Sequence, residues 1–248
     1  MSETWIVGIN PVEGALANDP SRVREVLVEQ GTHNPRVAAL VEEARRLGVR
    51  VHTRPRAMLD KVSGHARHQG VAANYEVPAA KSEHDLADLL QTDNALFLVL
   101  DGVTDPHNLG AIIRSAESAG ATGVVLTRHR AAHVTPTVTK AAAGAIEYVP
   151  IAVVPGLPAA LQELQSRGVW TVGLAGDAPQ TVFDLAVADG PVCLVLGSEG
   201  AGLSRLVRQR CEITVGIPRI GHTESLNVSA AAAVACFEIA RRRLSDSR

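Results

Sequence analysis

Three short stretches of the sequence carry polar side chains of the kinds that bind ligands or stabilise charge. In the first, residues 101–120, Asn108 follows an Asp-Pro turn and Arg114 comes six residues later. We expect Asn108 at the start of a helix, and a helix start followed by an arginine a turn or two along is a good phosphate site. The same residues, taken alone, also fit a helix cap and a solvent-exposed arginine.

The second stretch, residues 197–202, is a glycine-rich turn that contains Glu199 and follows the apolar run VCLVL. Glycines allow a backbone to approach a ligand closely, and the position after a strand is typical of a binding site. Only about one further strand is expected after this turn, so a dinucleotide-binding fold cannot be completed around it. A phosphate-binding loop of the Walker type is excluded because no Gly-Lys-Ser/Thr follows.

The third stretch, Ser-Leu-Asn-Val-Ser at residues 225–229, opens the last predicted helix. Ser and Asn at a helix start satisfy backbone N–H groups, so capping explains one of these residues. Three polar residues, entered through Ile217-Pro218 and Gly221, are more than a cap needs. Residues 227–229 also fit a glycosylation sequon, but that interpretation requires secretion.

The composition is that of an ordinary globular protein. Of the 248 residues, 46% are hydrophobic and 3% aromatic, too few aromatics for a face that stacks single-stranded bases. The N-terminus lacks a basic segment followed by an apolar one, and no uncharged apolar stretch approaches the length of a membrane span. Cys193, Cys211 and Cys236 sit in apolar runs without metal-ligand spacing, as reduced buried thiols do. We therefore expect a cytoplasmic protein with no membrane segment and no metal.

Basic residues are concentrated in two windows, although the formal net charge is −2. Residues 44–68 contain seven arginines and lysines, among them Arg54 and Arg56, and three histidines, among them His65, against a single acid. Residues 118–146 contain no acid and three basic residues, among them Arg130. A charge run is usually a solvated face, but two such windows in a slightly acidic protein favour a partner with a phosphate backbone.

Strand and helix patterns alternate along the first 75 residues and predict a small α/β unit. Strands are predicted at 23–29, 49–53 and 71–75, and helices at 35–47 and 55–62. Residues 76–90, which are acidic and contain a proline, are predicted to be a linker or a connecting helix.

Residues 91–248 are predicted to form a second α/β domain, with a mainly parallel sheet and helices on both faces. The run at 96–100 is entirely apolar, as in a buried parallel strand. The other strands are predicted at 123–126, 148–151, 170–174, 192–196 and 213–217, and the helices at 109–119, at 157–167 and in the last stretch of the chain.

The three polar stretches together resemble the three sequence motifs of the SpoU family. The matching residues are Asn108-Leu-Gly110 with Arg114, then 196–203, then Ile217-Pro218, Gly221 and 225–229. The resemblance covers roughly the last 155 residues, and three motifs in register are highly specific. Residues 8–12 and 68–70 resemble the small substrate-binding domain of this family, which has the shape of a ribosomal L30e protein.

The family resemblance implies an S-adenosylmethionine-dependent RNA ribose 2′-O-methyltransferase whose catalytic domain contains a trefoil knot. It implies that the catalytic residues are Asn108, Arg114, Glu199, Ser225 and Asn227. It also implies that backbone groups of Leu196, Gly197, Ile217 and Leu226 hold the adenine and ribose of the cofactor.

Within this set, the resemblance implies that the two asparagines fix Arg114 and the ribose, and that Glu199 orients the network. Ser225 is expected to bind near the reacting oxygen or the cofactor. Family-based proposals have the arginine accept the hydroxyl proton. A guanidinium, however, has a pKa above about 12 and is therefore already protonated. We therefore favour Arg114 as a phosphate clamp and a stabiliser of the developing oxyanion.

The expected substrate is a guanosine ribose of 23S rRNA, in the peptidyl-transferase region, during maturation of the large subunit. A tRNA ribose methyltransferase and a resistance-type rRNA methyltransferase are alternatives within the same class. A non-catalytic ribosome-assembly protein is the alternative from another class, and the complete polar set speaks against it. The resemblance also predicts a homodimer through the C-terminal domain, as does a face of mostly small residues on the last helix, Ala230–Ala233, Cys236, Phe237 and Ala240.

Overall fold

The computed structural model describes residues 3–64, 66–90, 94–129, 131–223 and 225–246. His65 and Arg130 of the basic windows lie outside the described residues, as does Gln91, the predicted first residue of the second domain.

Strands and α-helices alternate over most of the described residues, except where β5 follows β4 and where β9 and β10 follow β8. The strands are β1 Glu3–Val7, β2 Val23–Glu29, β3 Arg50–Arg54, β4 Val71–Glu76, β5 Leu96–Asp101, β6 Gly123–Thr127, β7 Ile151–Val154, β8 Trp170–Leu174, β9 Gln180–Thr181, β10 Val192–Gly197 and β11 Ile213–Gly216. The α-helices are α1 Ile9–Asn18, α2 Pro35–Arg46, α3 Arg56–Val62, α4 Pro106–Ser118, α5 Pro136–Ala142, α6 Leu157–Ser166, α7 Arg205–Arg210 and α8 Val228–Asp246.

Contacts divide the chain into two compact units. The first contains residues 1–79 together with 133–148, and the second contains 80–132 together with 149–248. The predicted domain ranges differ from these units at α5, because residues 133–148 group with the N-terminal part of the sequence. They also differ at the predicted linker, where Lys81 pairs with β7 and Leu86 is fully buried in the core of the second unit.

The first unit is built on a mixed four-stranded sheet in the order β1-β4-β2-β3. Strands β1 and β2 run antiparallel to β4, while β3 runs parallel to β2 at the edge. Its core lies between this sheet and the helices α1 and α2, which contribute Val12, Leu16, Val37 and Leu40. This architecture confirms the predicted small α/β unit.

Residues 133–148 are attached to the first unit by a buried polar contact as well as by packing. The hydroxyl of Tyr75 donates a hydrogen bond to the carboxylate of Glu147, and both side chains are buried. The side-chain amide of Asn18 donates to the backbone oxygen of Glu147 at 2.6 Å. Burial raises the pKa of the Glu147 carboxyl, because a charge is less stable away from water.

The second unit is built on a seven-stranded sheet in the order β7-β6-β5-β10-β8-β11-β9. Each pair of neighbouring strands is parallel. A parallel sheet of this kind is covered on both faces, which explains why every residue of the run at 96–100 is fully buried.

Two groups of helices cover this sheet. Helices α6 and α7 pack with the side chains of Phe97 and Val99, whereas α4 and α8 contact each other and strands β6 and β10. Successive side chains of a strand point to opposite faces, so each face of the sheet is apolar. The predicted fold class, a mainly parallel sheet with helices on both faces, is confirmed. No helix among the described residues is long and apolar enough to cross a membrane.

Candidate active site

The candidate site lies at the carboxyl ends of strands β8, β10 and β11, where the parallel strands open into loops. In open α/β sheets this end is where ligands bind. A cavity of about 360 Å³ lies here, within the size range of small-molecule sites. Its lining comes from the strand ends, the loops after them and the start of α8, namely Leu174, Ala175, Gly176, Leu196, Gly197, Ser198, Glu199, Gly200, Gly202, Val215, Ile217, Arg219, Ser225, Leu226, Val228 and Ala231.

The turn after β10 folds back onto the end of its own strand. Backbone hydrogen bonds join Ser198 and Gly202 in both directions, at 3.1 and 2.9 Å. A Cβ atom at Gly197 would lie 2.1 Å from the carbonyl carbon of Gly202, closer than any real contact. Gly202 itself has a φ of +66°, which glycine adopts without strain. Glycine at position 197 is therefore required for the tight turn that places Glu199 at the cavity.

A hydrogen-bond network joins one residue from each of the three motifs. The side-chain nitrogen of Asn108 donates to Oε1 of Glu199 at 3.1 Å. The side-chain nitrogen of Asn227 donates to the same oxygen at 2.6 Å and to Oδ1 of Asn108 at 2.9 Å. The structure thus brings together three of the predicted catalytic residues, which lie up to 119 positions apart in the sequence.

Asn227 is also the cap of α8. Its Oδ1 accepts hydrogen bonds from the backbone nitrogen of Ser229 at 2.9 Å and of Ala230 at 3.3 Å. Because the oxygen is used for the cap, the amide nitrogen must face Asn108 and Glu199, which fixes the orientation of the side chain. The polar start of this alanine-rich helix therefore serves the helix and the network at once.

Asn108 is positioned by α4, although it is not the helix cap. The cap is Asp105, whose side chain accepts from the backbone nitrogen of His107 at 2.9 Å, and Pro106 is the first helical residue. The helix therefore starts three residues earlier than expected, with Asp105 and not Asn108 as its cap. Asn108 lies in the first turn, and its side chain is buried, so its direction is set by the packing of α4.

Glu199 uses only one of its two carboxylate oxygens in this network. Oε1 accepts both amide hydrogen bonds, while Oε2 accepts none from the described residues. The side chain is exposed beside the cavity. The site can therefore offer a fixed carboxylate oxygen to a hydroxyl group of a ligand.

Arg114 is not brought to this network within the chain. It is exposed and makes no hydrogen bond or ion pair among the described residues. Six residues of α-helix correspond to about 9 Å along the axis and leave the two side chains about 120° apart around it. Arg114 and Asn108 therefore project from different sides of α4.

The remaining predicted residues line the cavity. Ser225 and Leu226 are exposed at its edge, and Leu196, Gly197 and Ile217 come from the ends of β10 and β11. Residues 174–176 and Arg219 also line the cavity, although the sequence motifs did not predict a role for them. The predicted end of β8 places residues 174–176 at the carboxyl edge of a parallel sheet, but their position beside this cavity depends on the order of the strands. Among the described residues, no group of His, Cys, Asp and Glu could hold a metal ion.

Comparisons with known proteins agree with the motifs. Residues 95–237 match the SpoU rRNA Methylase family, and residues 5–78 match the family described as RNA 2′-O ribose methyltransferase substrate binding. The 23S rRNA (guanosine-2′-O-)-methyltransferase RlmB of Xanthomonas campestris pv. campestris is 47% identical over 242 residues, which cover 97% of each chain. The enzyme of the same name from Xylella fastidiosa is 46% identical over 241 residues, 96% of each chain.

Solved structures agree as well. The SpoU methyltransferase AviRb from Streptomyces viridochromogenes, solved in complex with the cofactor AdoMet, has a TM-score of 0.81 and 28% sequence identity. The alignment covers 98% of the present chain and 91% of that chain. The sequence matches and the structural match both extend over nearly the whole sequence, and the chain therefore belongs to the SpoU rRNA methylase family.

Proposed function

We propose that this protein is an S-adenosylmethionine-dependent methyltransferase that modifies the ribose 2′-oxygen of a guanosine in 23S rRNA. The observation that carries this proposal is the Asn108–Glu199–Asn227 network at the edge of a cavity of cofactor size. A protein that only bound RNA would not need a fixed carboxylate beside such a cavity. The curated relatives named above act on 23S rRNA, and the cytoplasmic location expected from the sequence is part of the proposal.

The cavity suits an adenosine-containing cofactor. Its walls combine apolar side chains, such as Leu196, Ile217 and Leu226, with glycine backbone that a ligand can approach closely. We assign to Leu196, Gly197, Ile217 and Leu226 the role of holding adenine and ribose through backbone groups. When bound, S-adenosylmethionine supplies a methyl group on a positively charged sulfur atom, which an oxygen nucleophile can accept.

The residues of the network act on the nucleophile. A neutral hydroxyl is a weak nucleophile, so its proton must be drawn away in the transition state. Asn108 and Asn227 hold Glu199 in place through Oε1, and Oε2 is then available to accept a hydrogen bond from the ribose hydroxyl. Ser225, exposed at the cavity edge, is placed to bind the ribose or the cofactor.

We assign Arg114 to stabilisation of the developing oxyanion, and this role requires a second copy of the chain. Within one chain Arg114 projects away from the network, so a homodimer that places Arg114 of one copy at the network of the other would complete the site. Helix α8 supplies apolar surface for such an interface, with Phe237 49% and Leu244 71% exposed. Of the small residues predicted to form that face, Ala232 and Cys236 are buried within the chain itself.

Mixing two inactive variants tests this shared site. Arg114→Ala and Glu199→Gln would each be inactive alone, but a mixed dimer contains one site with both native residues. Random exchange should recover about one quarter of the native methyl transfer, because half of the dimers are mixed and each has one intact site. A mixture that stays inactive although light scattering shows a dimer would contradict the shared site.

We assign RNA binding to the first unit, which matches the substrate-binding family. The charges of its basic window are not equally available. Arg45 and Arg46 pair with glutamates of the same helix at 2.9 and 2.6 Å. Among the described residues, Arg54 contacts only a backbone oxygen and Arg56 makes ion pairs no shorter than 3.7 Å. We therefore expect Arg54 and Arg56 to contact phosphates.

Mapping of ribose methyl groups tests the function as a whole. In cells that lack the protein, one guanosine of 23S rRNA should lose its 2′-O-methyl group, and the native gene but not a Glu199→Gln variant should restore it. The mapping also tests the predicted peptidyl-transferase region. A methyl group lost from tRNA would assign the protein to tRNA modification, and no lost methyl group would favour a non-catalytic role in ribosome assembly.

A further inference from the structure

Arg219 is the second charged residue at the cavity. It lies in the loop between β11 and α8, and among the described lining residues only Glu199 and Arg219 carry a formal charge. The two are not paired with each other. Glu199 is held by the asparagine network, so the cavity has a fixed negative charge and a positive charge from different elements.

The guanidinium of Arg219 has N–H donors that form no hydrogen bond with the described residues. Its described polar contact is a long one, 3.5 Å from Nη2 to the backbone oxygen of Gly176 at the end of β8. The acid next to Gly176, Asp177, is paired with Arg208 at 3.0 Å. A guanidinium has five N–H donors, so an exposed one with a single long contact can still bind a ligand group.

We propose that Arg219 binds the carboxylate of the methionine part of S-adenosylmethionine. This inference rests on the proposed function, because it takes that cofactor as the ligand. The carboxylate is the only anionic group of the cofactor, and a guanidinium can bind it through two parallel hydrogen bonds. The same carboxylate would be repelled by Glu199, so the two charges of the cavity orient the methionine part in one direction.

Two ligands that differ only in the amino-acid part separate this role from others. S-adenosylhomocysteine carries the carboxylate, whereas 5′-methylthioadenosine keeps the adenosine and the sulfur but lacks it. Calorimetry on the full-length protein should show that Arg219→Ala weakens S-adenosylhomocysteine about five- to tenfold, as expected for a charge-assisted hydrogen bond at an exposed position. Binding of 5′-methylthioadenosine should be unchanged.

Further variants sharpen the result. Arg219→Lys keeps the charge but not the fork, and should recover part of the affinity for S-adenosylhomocysteine. Added salt should reduce the difference between the native protein and Arg219→Ala, because an exposed pair is screened. Arg208→Ala is the matched control, since it removes an exposed arginine from the neighbouring pair with Asp177 and should change neither affinity.

Three results would overturn the inference. Equal losses for both ligands would mean that Arg219 supports the adenosine part or the shape of the loop. No loss for either ligand would mean that Arg219 does not contact the cofactor, and a fall in RNA affinity would then assign it to the RNA. A native protein that binds neither ligand would refute the proposed function itself, and the inference with it.

Discussion

Asn227 has two roles that a pair of substitutions separates. Its Oδ1 caps α8, while its amide nitrogen donates to Glu199 and Asn108. Asn227→Ser keeps a side-chain oxygen that can cap the helix but removes both donated hydrogen bonds. Asn227→Ala removes the cap as well.

The expected magnitudes follow from these contacts. A helix cap contributes about 1 kcal/mol, so Asn227→Ala should be less stable than Asn227→Ser by about that amount. A hydrogen bond to a charged group contributes about 1.5–3 kcal/mol. If Glu199 loses this support in the transition state, methyl transfer should fall by about 10- to 100-fold in both variants, at tenfold per 1.4 kcal/mol.

Urea unfolding measures the stability of the variants, and single-turnover methyl transfer to 23S rRNA lacking the modification measures their activity. Asn34→Ala is a matched control for the cap, because Asn34 caps α2 through a 3.0 Å hydrogen bond and takes no part in the network. If Asn227→Ser transfers the methyl group at nearly the native rate, the network is only a helix cap and its assignment to catalysis is wrong.

Arg114→Ala should lower methyl transfer by at least about 100-fold, yet leave cofactor affinity and the free energy of unfolding nearly unchanged, because the side chain is exposed and unpaired among the described residues. Native rates in both Arg114→Ala and Arg114→Lys would make it an ordinary surface arginine. Reversal of charge at Arg54 and Arg56 should weaken RNA binding and flatten its dependence on salt, since fewer counterions are released; an unchanged slope in a filter-binding titration would exclude direct phosphate contacts. Hydrogen bonds from two arginines of α8 lower the pKa of Glu238 to about 2. These hydrogen bonds therefore stabilise the fold at pH values above the usual glutamate pKa, and their contribution is lost as the pH falls toward 2. Glu238→Gln should therefore cost about 1–2 kcal/mol at neutral pH and much less in acid, and equal costs at both pH values in urea titrations would contradict the lowered pKa.

The regular parts of the fold could be predicted because their patterns are local. Strand β8 at 170–174 and strand β2 at 23–29 have the predicted bounds, and the apolar run before Asp101 is a buried strand as expected. The predicted strand at 148–151 lies three residues too early, at the N-terminal end of β7. Its apolar pattern does not distinguish the strand from the short helical turn at Ala145–Glu147 that precedes it.

Other elements were missed for physical reasons. Helix α1 contains Pro11, which argues against a helix in the sequence but lies in the first turn, where a missing N–H costs no hydrogen bond. Helix α7 spans six residues and buries only Val207, so it has no helical period to detect.

The candidate site could be predicted only in part. Its motif residues were predicted from the family resemblance. The hydrogen bonds among Asn108, Glu199 and Asn227, in contrast, depend on the pairing of strands that are distant in the sequence. The contribution of residues 174–176 follows from the sheet order, in which β8 lies between β10 and β11. No local pattern contains that order.

The grouping of residues 133–148 with the first unit has a consequence for attempts to dissect or exchange the two units. Removal of residues 1–79 would take away the partner surface of α5 and leave Val138, Ala142 and Ile146, all buried in the intact chain, in contact with water. It would also separate Glu147 from Tyr75. A chimera that takes the first unit from a relative must therefore graft two separate segments of sequence, because residues 133–148 and residues 1–79 form one compact unit and pack against each other.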